Sequence, residues 1–552
     1  MIGLLIYLKM WVIRFRYFRK LERDAKRPRE TQESLLLEIL KRNAATDFGI
    51  KFNLSAIRSY TDYQRIVPVH TYEELRPYIE KQISGHFASL TATPPVMYAQ
   101  TSGTTGKAKY IPILEESIVA YKRAQKIASY AEYRDVPGIF SGKILAVVSP
   151  AIEGYLENGM PYGSMSGIVY KNMPDIVRSQ YVLPSEIFEC VDYEIKYQLI
   201  AAFALAEENI TVLASANPST FLRLEEIIQQ HTDKLIHFVA TGDLMSLVDG
   251  SIDKEVVVKL LPYCRVNARR AEHLKRILSK HGALKFHDLW PNIKAVVTWT
   301  SGSCGLLIPK LKRLLPTEVA IIEMGYLSSE FRGTITLDCI RNLGLPAIQD
   351  VFFEFIEITD WSKDIHTTLT IEQIEAGKRY YILVTALHGL YRYFINDIIE
   401  VTGKYENTPT ISFVQKGKGV TSFSGEKLYE SQVIQAVQQT CLAFAVEPDF
   451  FIMLADEADF SYVLYLESKT SLLPVTFTAL LNQTIGELNM EYLAKIQSGR
   501  IKSATVNRLK SGALEAFKKH CISAGQREGQ FKIVKLQYRK DVSFSFDEYV
   551  EV

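Results

Sequence analysis

Three short apolar segments constrain the fold of this chain more than any other feature of its sequence. Each is a run of mostly aliphatic residues that leads into small or turn-forming residues, as in KILAVVSP (143–150), ITVLASANPS (210–219) and IKAVVTWTSGS (293–303). Such runs are typical of buried strands in a parallel sheet. Open α/β sheets bind ligands beyond the carboxyl ends of their strands, so the sequence predicts a functional site at that edge.

Segments with helical periodicity accompany these strands. In ESLLLEILKRNA (33–44) and AEHLKRILSKHG (271–282) the apolar residues recur at helical spacing, and the second segment ends at Gly282, as helices often do. We find no internal repeat and no long linker. The alternation of the two patterns predicts an α/β fold.

Composition excludes several classes of protein. Of the 552 residues, 47% are hydrophobic and 23% charged, which is typical of a globular chain. The net charge of +2 provides no basic field, so we expect no nucleic-acid partner. None of the six cysteines lies within thirty residues of another, which argues against a zinc site or a disulfide framework. This spacing indicates a reducing compartment, and we expect a cytoplasmic protein.

The N-terminal segment MIGLLIYLKMWVIRFRYFRK is apolar but is interrupted by Lys9, Arg14 and Arg16. Its uncharged runs fall far short of the roughly 18 residues that a bilayer span requires. Two interpretations remain: a first helix that packs on the body of the protein, or a basic helix that lies on a membrane surface. We expect the packed helix and no stable membrane insertion.

A loop rich in hydroxyls and glycines lies within YAQTSGTTGKAKYIPI, residues 98–113. It is not a Walker A loop, because Thr101 and Ala108 stand where that motif requires a glycine and a Ser or Thr. A solvent-exposed turn is the alternative interpretation. However, the hydroxyls, glycines and lysine together are the parts of an anion cradle. These parts are Ser102, Gly103, Thr104, Thr105, Gly106 and Lys107.

Two later segments narrow the class of protein that this loop indicates. They are EMGYLSSEFRG (323–333) and LYRYFINDIIEVTG (390–403). In this order the three resemble the phosphate loop, the Tyr-x-x-x-Glu segment and the Tyr-Arg-x-x-Asp segment of the adenylate-forming enzymes. IVPVHTYEELRPYIEK (66–81) and GQFKIVKL (529–536) narrow the resemblance. With them the chain is similar, from about residue 45 to 540, to the auxin-responsive Gretchen Hagen three family, the acyl acid amido synthetases.

This resemblance implies an architecture. A large N-terminal domain of sheets covered by helices, residues 1–414, would bind ATP and the acyl group. A small mobile α+β domain, residues 415–552, would cap the site. QKGKG (415–419) has the composition of a hinge between them.

The resemblance also implies an activity with ATP and Mg²⁺ as cofactors. A small carboxylic acid is activated as an acyl-AMP, and an amine such as an amino acid then accepts the acyl group. The phosphate loop would wrap the β- and γ-phosphates, and Glu330 would help to hold Mg²⁺. Tyr326 would stack on adenine, Ser329 would lie near the α-phosphate, and Asp397 would accept hydrogen bonds from the ribose.

The remaining predicted site residues lie in a turn and in the carboxyl-terminal segment. Gly302 and Ser303, within TSGS (300–303), would form a wall near adenine and the acyl group. Lys532 and Lys107 are the expected catalytic lysines. The resemblance places a catalytic lysine in the last segment without deciding between Lys532, Lys535 and Lys510.

Two other functions stay open. The first is a thiol ligase that makes an acyl-coenzyme A, because one fold can carry several related activities. A catalytically degenerate, membrane-associated binding protein would account for the basic apolar N-terminus. The GQFKIVKL segment resembles the amido synthetases rather than the thioester formers, and the first two motifs are intact. The sequence therefore favours the amide-forming ligase.

Overall fold

The computed structural model of the protein describes residues 2–101, 109–248, 254–358, 367–417, 419–421, 428–456, 458–469, 474–497, 499, 501–524 and 531–551. Contacts divide the chain into two compact units. Unit 1 comprises Met1–Ile395 and Glu400–Ser412, and unit 2 comprises Asn396–Ile399 and Phe413–Val552. The predicted phosphate loop, residues 102–107, and Lys418 of the predicted hinge lie outside the described residues.

Within the described residues, the α-helices include long elements at both ends of the chain and short connecting ones. They are α1 (Ile2–Ile13), α2 (Arg19–Ala25), α3 (Pro28–Arg42), α4 (Asp47–Lys51), α5 (Tyr60–Ile66), α6 (Tyr72–Ile83), α7 (Glu115–Asp135), α8 (Met165–Lys171), α9 (Asp175–Arg178), α10 (Tyr193–Ala206), α11 (Ser219–Gln230), α12 (Thr232–Thr241), α13 (Lys254–Leu260), α14 (Ala268–His281), α15 (Phe286–Leu289), α16 (Ile308–Lys312), α17 (Glu430–Ala443), α18 (Pro474–Leu488), α19 (Met490–Gln497) and α20 (Ala513–Ser523).

The strands of the described residues form several small sheets. They are β1 (Met97–Thr101), β2 (Lys109–Ile113), β3 (Lys143–Ala146), β4 (Gly154–Tyr155), β5 (Pro161–Gly163), β6 (Ile210–Ala214), β7 (Ala295–Thr298), β8 (Ala320–Glu323), β9 (Thr334–Asp338), β10 (Leu343–Pro346), β11 (Val351–Glu357), β12 (Arg379–Ala386), β13 (Leu390–Tyr405), β14 (Thr408–Lys416), β15 (Val420–Thr421), β16 (Leu428–Tyr429), β17 (Pro448–Asp456), β18 (Ser461–Ser468), β19 (Thr505–Leu509) and β20 (Leu536–Tyr538).

The three apolar segments that predicted strands form one sheet. Strands β3, β6, β7 and β8 lie in that order and every pair is parallel. The two predicted helices are also present, as α3 and α14, and Gly282 ends α14 with a left-handed φ of 73°. Both the α/β class and the parallel strands are therefore confirmed.

Both faces of this parallel sheet are buried. Along β7, Val296 belongs to a large core with α10, α11, α12 and α14, whereas Ala295 and Val297 belong to a second core with Ala131 of α7. Because alternate residues of a strand point to opposite faces, helices must cover the sheet on both sides. Sheets with both faces covered in this way bind ligands beyond the carboxyl ends of their strands.

Further strands of unit 1 form separate sheets. Strands β1 and β2 pair antiparallel, with Thr101 opposite Lys109, and they flank the predicted phosphate loop in sequence. Strands β11, β12, β13 and β14 form a four-stranded sheet in that order, and β9 pairs with β10.

Unit 2 has its own sheet and core. The sheet order is β19-β18-β17-β20, with β17 and β18 antiparallel and both outer pairs parallel. Its core includes Phe450, Tyr465, Phe517 and Phe546. Unit 2 is thus an α+β unit with an independent apolar interior.

The N-terminal helix comprises α1, a π-helical turn at Arg14–Phe18, and α2. One face packs against the protein: Met10, Ile13 and Phe18 are buried, and the Phe18 ring meets Tyr130 of α7 edge-on at 4.8 Å. The other face is exposed, so the packing that we expected holds for one side only. No helix among the described residues has the length and apolar character needed to span a bilayer.

Candidate active site

A closed loop follows β8 and carries the second predicted motif. The backbone oxygen of Tyr326 accepts hydrogen bonds from the N–H groups of Gly333 (2.7 Å) and Thr334 (3.1 Å). The Tyr326 N–H donates to Thr334 Oγ1 at 2.8 Å. Inside the loop, Ser328 Oγ accepts from the Phe331 N–H at 3.2 Å. These bonds fix the backbone around Ser329 and Glu330 before any ligand is present.

The side chain of Tyr326 is fixed by packing against neighbouring residues. Its side chain is mostly buried, and its ring meets Phe331 edge-on at 5.4 Å. Gly333 lies against the same ring so closely that a Cβ at position 333 would overlap ring atoms. A glycine is therefore required at position 333 as long as Tyr326 keeps this position.

The carboxylate of Glu323, at the end of β8, joins this loop to the turn after β7. Its Oε2 accepts hydrogen bonds from Thr300 N–H (2.8 Å), Thr300 Oγ1 (2.7 Å) and Ser301 Oγ (3.1 Å). Its Oε1 accepts from the Gly325 N–H at 3.0 Å. These four hydrogen bonds to one side chain join both loops, so Glu323 fixes them at the carboxyl edge of the parallel sheet.

The turn after β7 contains the predicted wall residues Gly302 and Ser303. Gly302 has a φ of 58° and begins a 3₁₀ turn that runs to Leu307. The indole N–H of Trp299 donates to the Gly325 backbone oxygen at 3.1 Å, which adds a second link between the two loops. The backbone of Ser303 lies in this turn, while its side chain is outside the described residues.

His388 contacts the same loop and was not found from the sequence. Its ring forms a hydrogen bond with the backbone of Glu330, and burial lowers the pKa of the imidazole to about 4. The ring is therefore neutral at physiological pH. Since its Nε2 has no hydrogen-bond partner in the described part of the chain, the contact with Glu330 is its main polar interaction. No local sequence signal pointed to His388, because a lone histidine after a strand has no motif.

A buried charged cluster lies beside the loop, between α7 and Arg332. Burial raises the pKa of Glu132 to about 7, and the nearby Arg332 opposes that rise. The Arg332 Nε–H donates to the Thr334 backbone oxygen at 3.2 Å, and its guanidinium lies 5.6 Å from the Tyr121 ring. Glu132 forms no ion pair within the described residues, so its charge is compensated only at a distance.

The third predicted motif divides between the two units. Arg392 lies in unit 1, where it is buried and its Nε–H donates to both oxygens of Glu354 at 3.1 Å. Two backbone oxygens, including that of Val67 at 2.8 Å, accept from its Nη1. With these partners Arg392 serves the packing of unit 1 and is not available to a ligand.

Asp397 lies in unit 2 and is 1% exposed. The residue before it, Asn396, has a left-handed φ of 60°, and its backbone oxygen accepts from the Gly417 N–H at 2.8 Å. Asparagine tolerates this conformation better than most residues.

The three candidate lysines of the carboxyl-terminal region differ in their surroundings. Lys535 is buried, with its Nζ over the rings of Phe450 (4.7 Å) and Phe451 (4.9 Å). Its side chain is thus part of the core of unit 2. Lys532 and Lys510 are exposed, and the Lys532 Nζ lies 6.0 Å from the Phe413 ring. This arrangement favours an exposed lysine over Lys535 as the residue that meets a phosphate.

Comparison with known proteins identifies the family. Family models match along the chain in the order of the GH3 family N-terminal domain (residues 17–320), central domain (344–416) and C-terminal domain (431–540).

Matches to individual proteins cover most of the chain. Indole-3-acetic acid-amido synthetase GH3.2 of Arabidopsis thaliana is 25% identical over 82% of this chain and 84% of its own length. The solved structure of the GH3.15 acyl acid amido synthetase superposes with a TM-score of 0.84 at 23% identity and covers 96% of this chain and 95% of its own. A 2-hydroxyisobutyryl-CoA ligase in complex with 2-HIB-AMP has a TM-score of 0.53 at 11% identity, over 94% and 90% of the two chains.

The chain therefore shares its overall fold with an acyl acid amido synthetase and with a CoA ligase bound to an acyl-AMP. The N-terminal family model alone covers more than half of the chain. The protein therefore belongs to the GH3 family, as the three motifs together with the segments at 66–81 and 529–536 predicted.

Replacing Glu323 tests whether its carboxylate holds the two loops. Glu323→Gln converts one acceptor oxygen into a donor that faces N–H and O–H donors. We expect it to lower the free energy of unfolding by about 1–3 kcal/mol. The surface variant Glu318→Gln serves as the control, and thermal melts compare the two. Equal melting temperatures for the two variants would show that the Glu323 hydrogen bonds do not hold the loops.

The raised pKa of Glu132 makes stability depend on pH. A carboxyl group whose pKa is higher in the folded chain (about 7) than its ordinary value (4.5) destabilises the folded state as pH rises through that window. Glu132→Gln removes the penalty, which is on the order of 1–3 kcal/mol above neutral pH. We expect this variant to have a higher melting temperature than wild type near pH 8. Near pH 5 the difference should be smaller.

Glu38→Gln, at an exposed position, controls for the loss of one charge. If the gain of Glu132→Gln were the same at both pH values, or matched by Glu38→Gln, burial would not be the cause.

Proposed function

We propose that the protein is an ATP-dependent acyl acid amido synthetase that activates a carboxylic acid as an acyl-AMP and transfers the acyl group to an amine. The observation that carries this proposal is the match of all three GH3 domain models, in order, along one chain. The named relatives are amido synthetases and an acid–amino acid ligase, the 4-substituted benzoates-glutamate ligase GH3.12 of Arabidopsis thaliana.

In the first step a carboxylate oxygen attacks the α-phosphorus of ATP. A bond forms between them, the bond to the bridging oxygen of the β-phosphate breaks, and pyrophosphate leaves with that electron pair. Two anions must meet, so the site has to neutralise charge and align the attack. We assign the cradle of the β- and γ-phosphates to Ser102, Gly103, Thr104, Thr105, Gly106 and Lys107.

The fixed loops of unit 1 suit the nucleotide base. We assign adenine stacking to Tyr326, whose ring orientation is set by Phe331 and Gly333. Ser329 is assigned to the α-phosphate, because it lies on the same loop. Gly302 and Ser303 would bound the site beside adenine and the acyl group. The hydrogen bonds to Glu323 fix the backbone of both loops, so little ordering is required when the nucleotide binds.

The residues present fit a magnesium ion that arrives with the nucleotide. Glu330 is a mostly buried carboxylate, and no group of three metal-binding side chains occurs among the described residues. Mg²⁺ is usually held by one or two carboxylates together with waters and substrate phosphates, so a single glutamate is sufficient. When bound, the ion would neutralise phosphate charge. The neutral His388, bonded to the Glu330 backbone, would hold that glutamate in place.

Unit 2 would contribute to both steps. We assign Asp397 to the ribose hydroxyls and Lys532 to the phosphates, since Lys535 is enclosed in the core. We propose that residues 1–414 act as the ATP- and acyl-binding domain and residues 415–552 as a mobile cap. In the second step the amine nitrogen attacks the acyl carbon and loses a proton, and the bond to AMP breaks.

The substrates are proposed only by class. The relatives named above act on indole-3-acetic acid or 4-substituted benzoates, and one of them uses glutamate. We accordingly propose a small carboxylic acid and an amino acid as the substrates. The ATP requirement and the six free cysteines favour the cytoplasm.

A thioester ligase is the second candidate, because the chain shares its fold with a CoA ligase. The two functions have the same first step and differ only in the acceptor. Product analysis with coenzyme A and with a mixture of amino acids, supplied separately after adenylation, distinguishes them.

Acid-dependent exchange of labelled pyrophosphate into ATP tests the first step without the amine. We expect exchange with at least one acid in a panel of aryl, indole and fatty acids. Thr105→Ala and Lys107→Ala should weaken nucleotide binding. Glu330→Ala should reduce the rate more than the affinity, because metal charge matters most as charge develops. Glu318→Ala is the matched surface control. The proposed activity is wrong if no acid supports exchange and ATP does not raise the melting temperature.

The ribose assignment is tested at Asp397. Asp397→Asn keeps the shape of the side chain but turns one acceptor into a donor. We expect nucleotide affinity to fall by roughly 1–3 kcal/mol, the usual effect of an unmatched buried polar group. Isothermal titration with ATP measures it, and the exposed Asp541→Asn is the control. Unchanged affinity would show that a residue other than Asp397 contacts the ribose.

A further inference from the structure

The N-terminal helix, residues 2–25, presents an apolar stripe to solvent. The exposed large apolar residues, 41–63% accessible, are Leu4, Leu5, Tyr7, Leu8, Trp11, Val12 and Phe15. Positions 4, 8, 11 and 15 follow helical spacing, so they lie on one face. Isolated exposed apolar residues are common, but a contiguous row of seven marks an interaction surface.

The helix is attached to unit 1 by its opposite face and its far end. Met10, Ile13, Phe18 and Leu21 are buried, and the backbone oxygen of Ala25 accepts from Thr408 Oγ1 at 2.7 Å. The exposed stripe is therefore not the face by which the helix packs on unit 1. Its own core face is already filled, and the exposed face is a second apolar surface.

The segment that carries the stripe is positively charged as far as Leu21, and Glu22 is the first acidic residue after it. Residues 1–21 contain Lys9, Arg14, Arg16, Arg19 and Lys20 and no aspartate or glutamate. The Arg19 guanidinium lies 4.2 Å from the centre of the Phe15 ring, so charge and apolar surface adjoin. Two copies meeting through this face would bring like charges together, which disfavours self-association. An anionic lipid surface offers both apolar depth and opposite charge.

We propose that this face docks the protein on the surface of an anionic membrane, with the helix axis in the plane of the interface. The apolar stripe enters the boundary between headgroups and acyl chains, and the arginines meet the lipid phosphates. Trp11 and Tyr7 are aromatic residues of the kind enriched at that depth. The helix lies on the bilayer and does not cross it. This docking is independent of the amide-forming activity proposed above.

Vesicle flotation of the full-length protein tests the proposal. We use phosphatidylcholine vesicles with and without about 30% phosphatidylserine. Wild type should float with the anionic vesicles, more weakly at high salt, and remain free with the neutral ones. The variant Leu8→Ser/Trp11→Ser/Phe15→Ser should lose flotation. The variant Arg14→Gln/Arg16→Gln/Arg19→Gln should bind about 100-fold more weakly, since each basic residue near an anionic surface contributes about fivefold.

The matched control carries the same number of apolar-to-serine changes elsewhere on unit 1. Ile176→Ser/Val191→Ser/Val266→Ser replaces side chains that are 68%, 96% and 70% exposed, and it should float like wild type. Thermal melts verify that each variant is folded. The single variant Trp11→Ser provides a milder test, because wild-type tryptophan emission should shift to the blue on anionic vesicles and this variant should lose most of the shift.

Three results would overturn the proposal. The first is failure of wild type to float with anionic vesicles at low salt. The second is flotation of the folded stripe variant equal to that of wild type. The third is a concentration-dependent dimer that the stripe variant abolishes while vesicle binding is absent, which would make the face a contact between copies.

Discussion

The carboxylate of Glu323 is the interaction on which the candidate site of unit 1 depends. Two loops leave the parallel sheet at the ends of neighbouring strands, β7 and β8. One buried carboxylate satisfies N–H and hydroxyl donors from both. The backbone of Glu323 is fixed in turn, because its N–H donates to Asn342 Oδ1 at 2.8 Å and its oxygen accepts from Thr336 Oγ1 at 2.6 Å. Strand, carboxylate and loops thus form one rigid support.

Unit 1 contains buried charged side chains in two different environments. Glu354 and Arg392 form a bidentate pair with additional partners, and this arrangement satisfies both groups. Glu132 has no such partner among the described residues, and burial therefore shifts its pKa toward neutrality. The first arrangement is a structural brace. The second leaves an ionisable group in the interior, close to the loop that carries Glu330.

Sequence reasoning succeeded where the pattern was local. The parallel strands β3, β6 and β7 followed from short apolar runs, and the helices α3 and α14 followed from helical periodicity. The family followed from the three motifs together with the segments at 66–81 and 529–536. It failed where side chains distant in sequence act together. Glu323 is the first residue of the segment EMGYLSSEFRG, but nothing local shows that its partners are Thr300 and Ser301. His388 and Glu132 have no motif at all. The two-sided N-terminal helix was also ambiguous, because its sequence is apolar on every face and only packing separates them.

The close approach of Gly333 to the Tyr326 ring has a consequence for how such sequences diverge. A side chain at position 333 can be accommodated only if the ring at position 326 shrinks or turns away, so the two codons are not free to change one at a time. Among relatives, any chain with a larger residue at the position of Gly333 should also lack an aromatic ring at the position of Tyr326. The two positions should therefore change together and not independently.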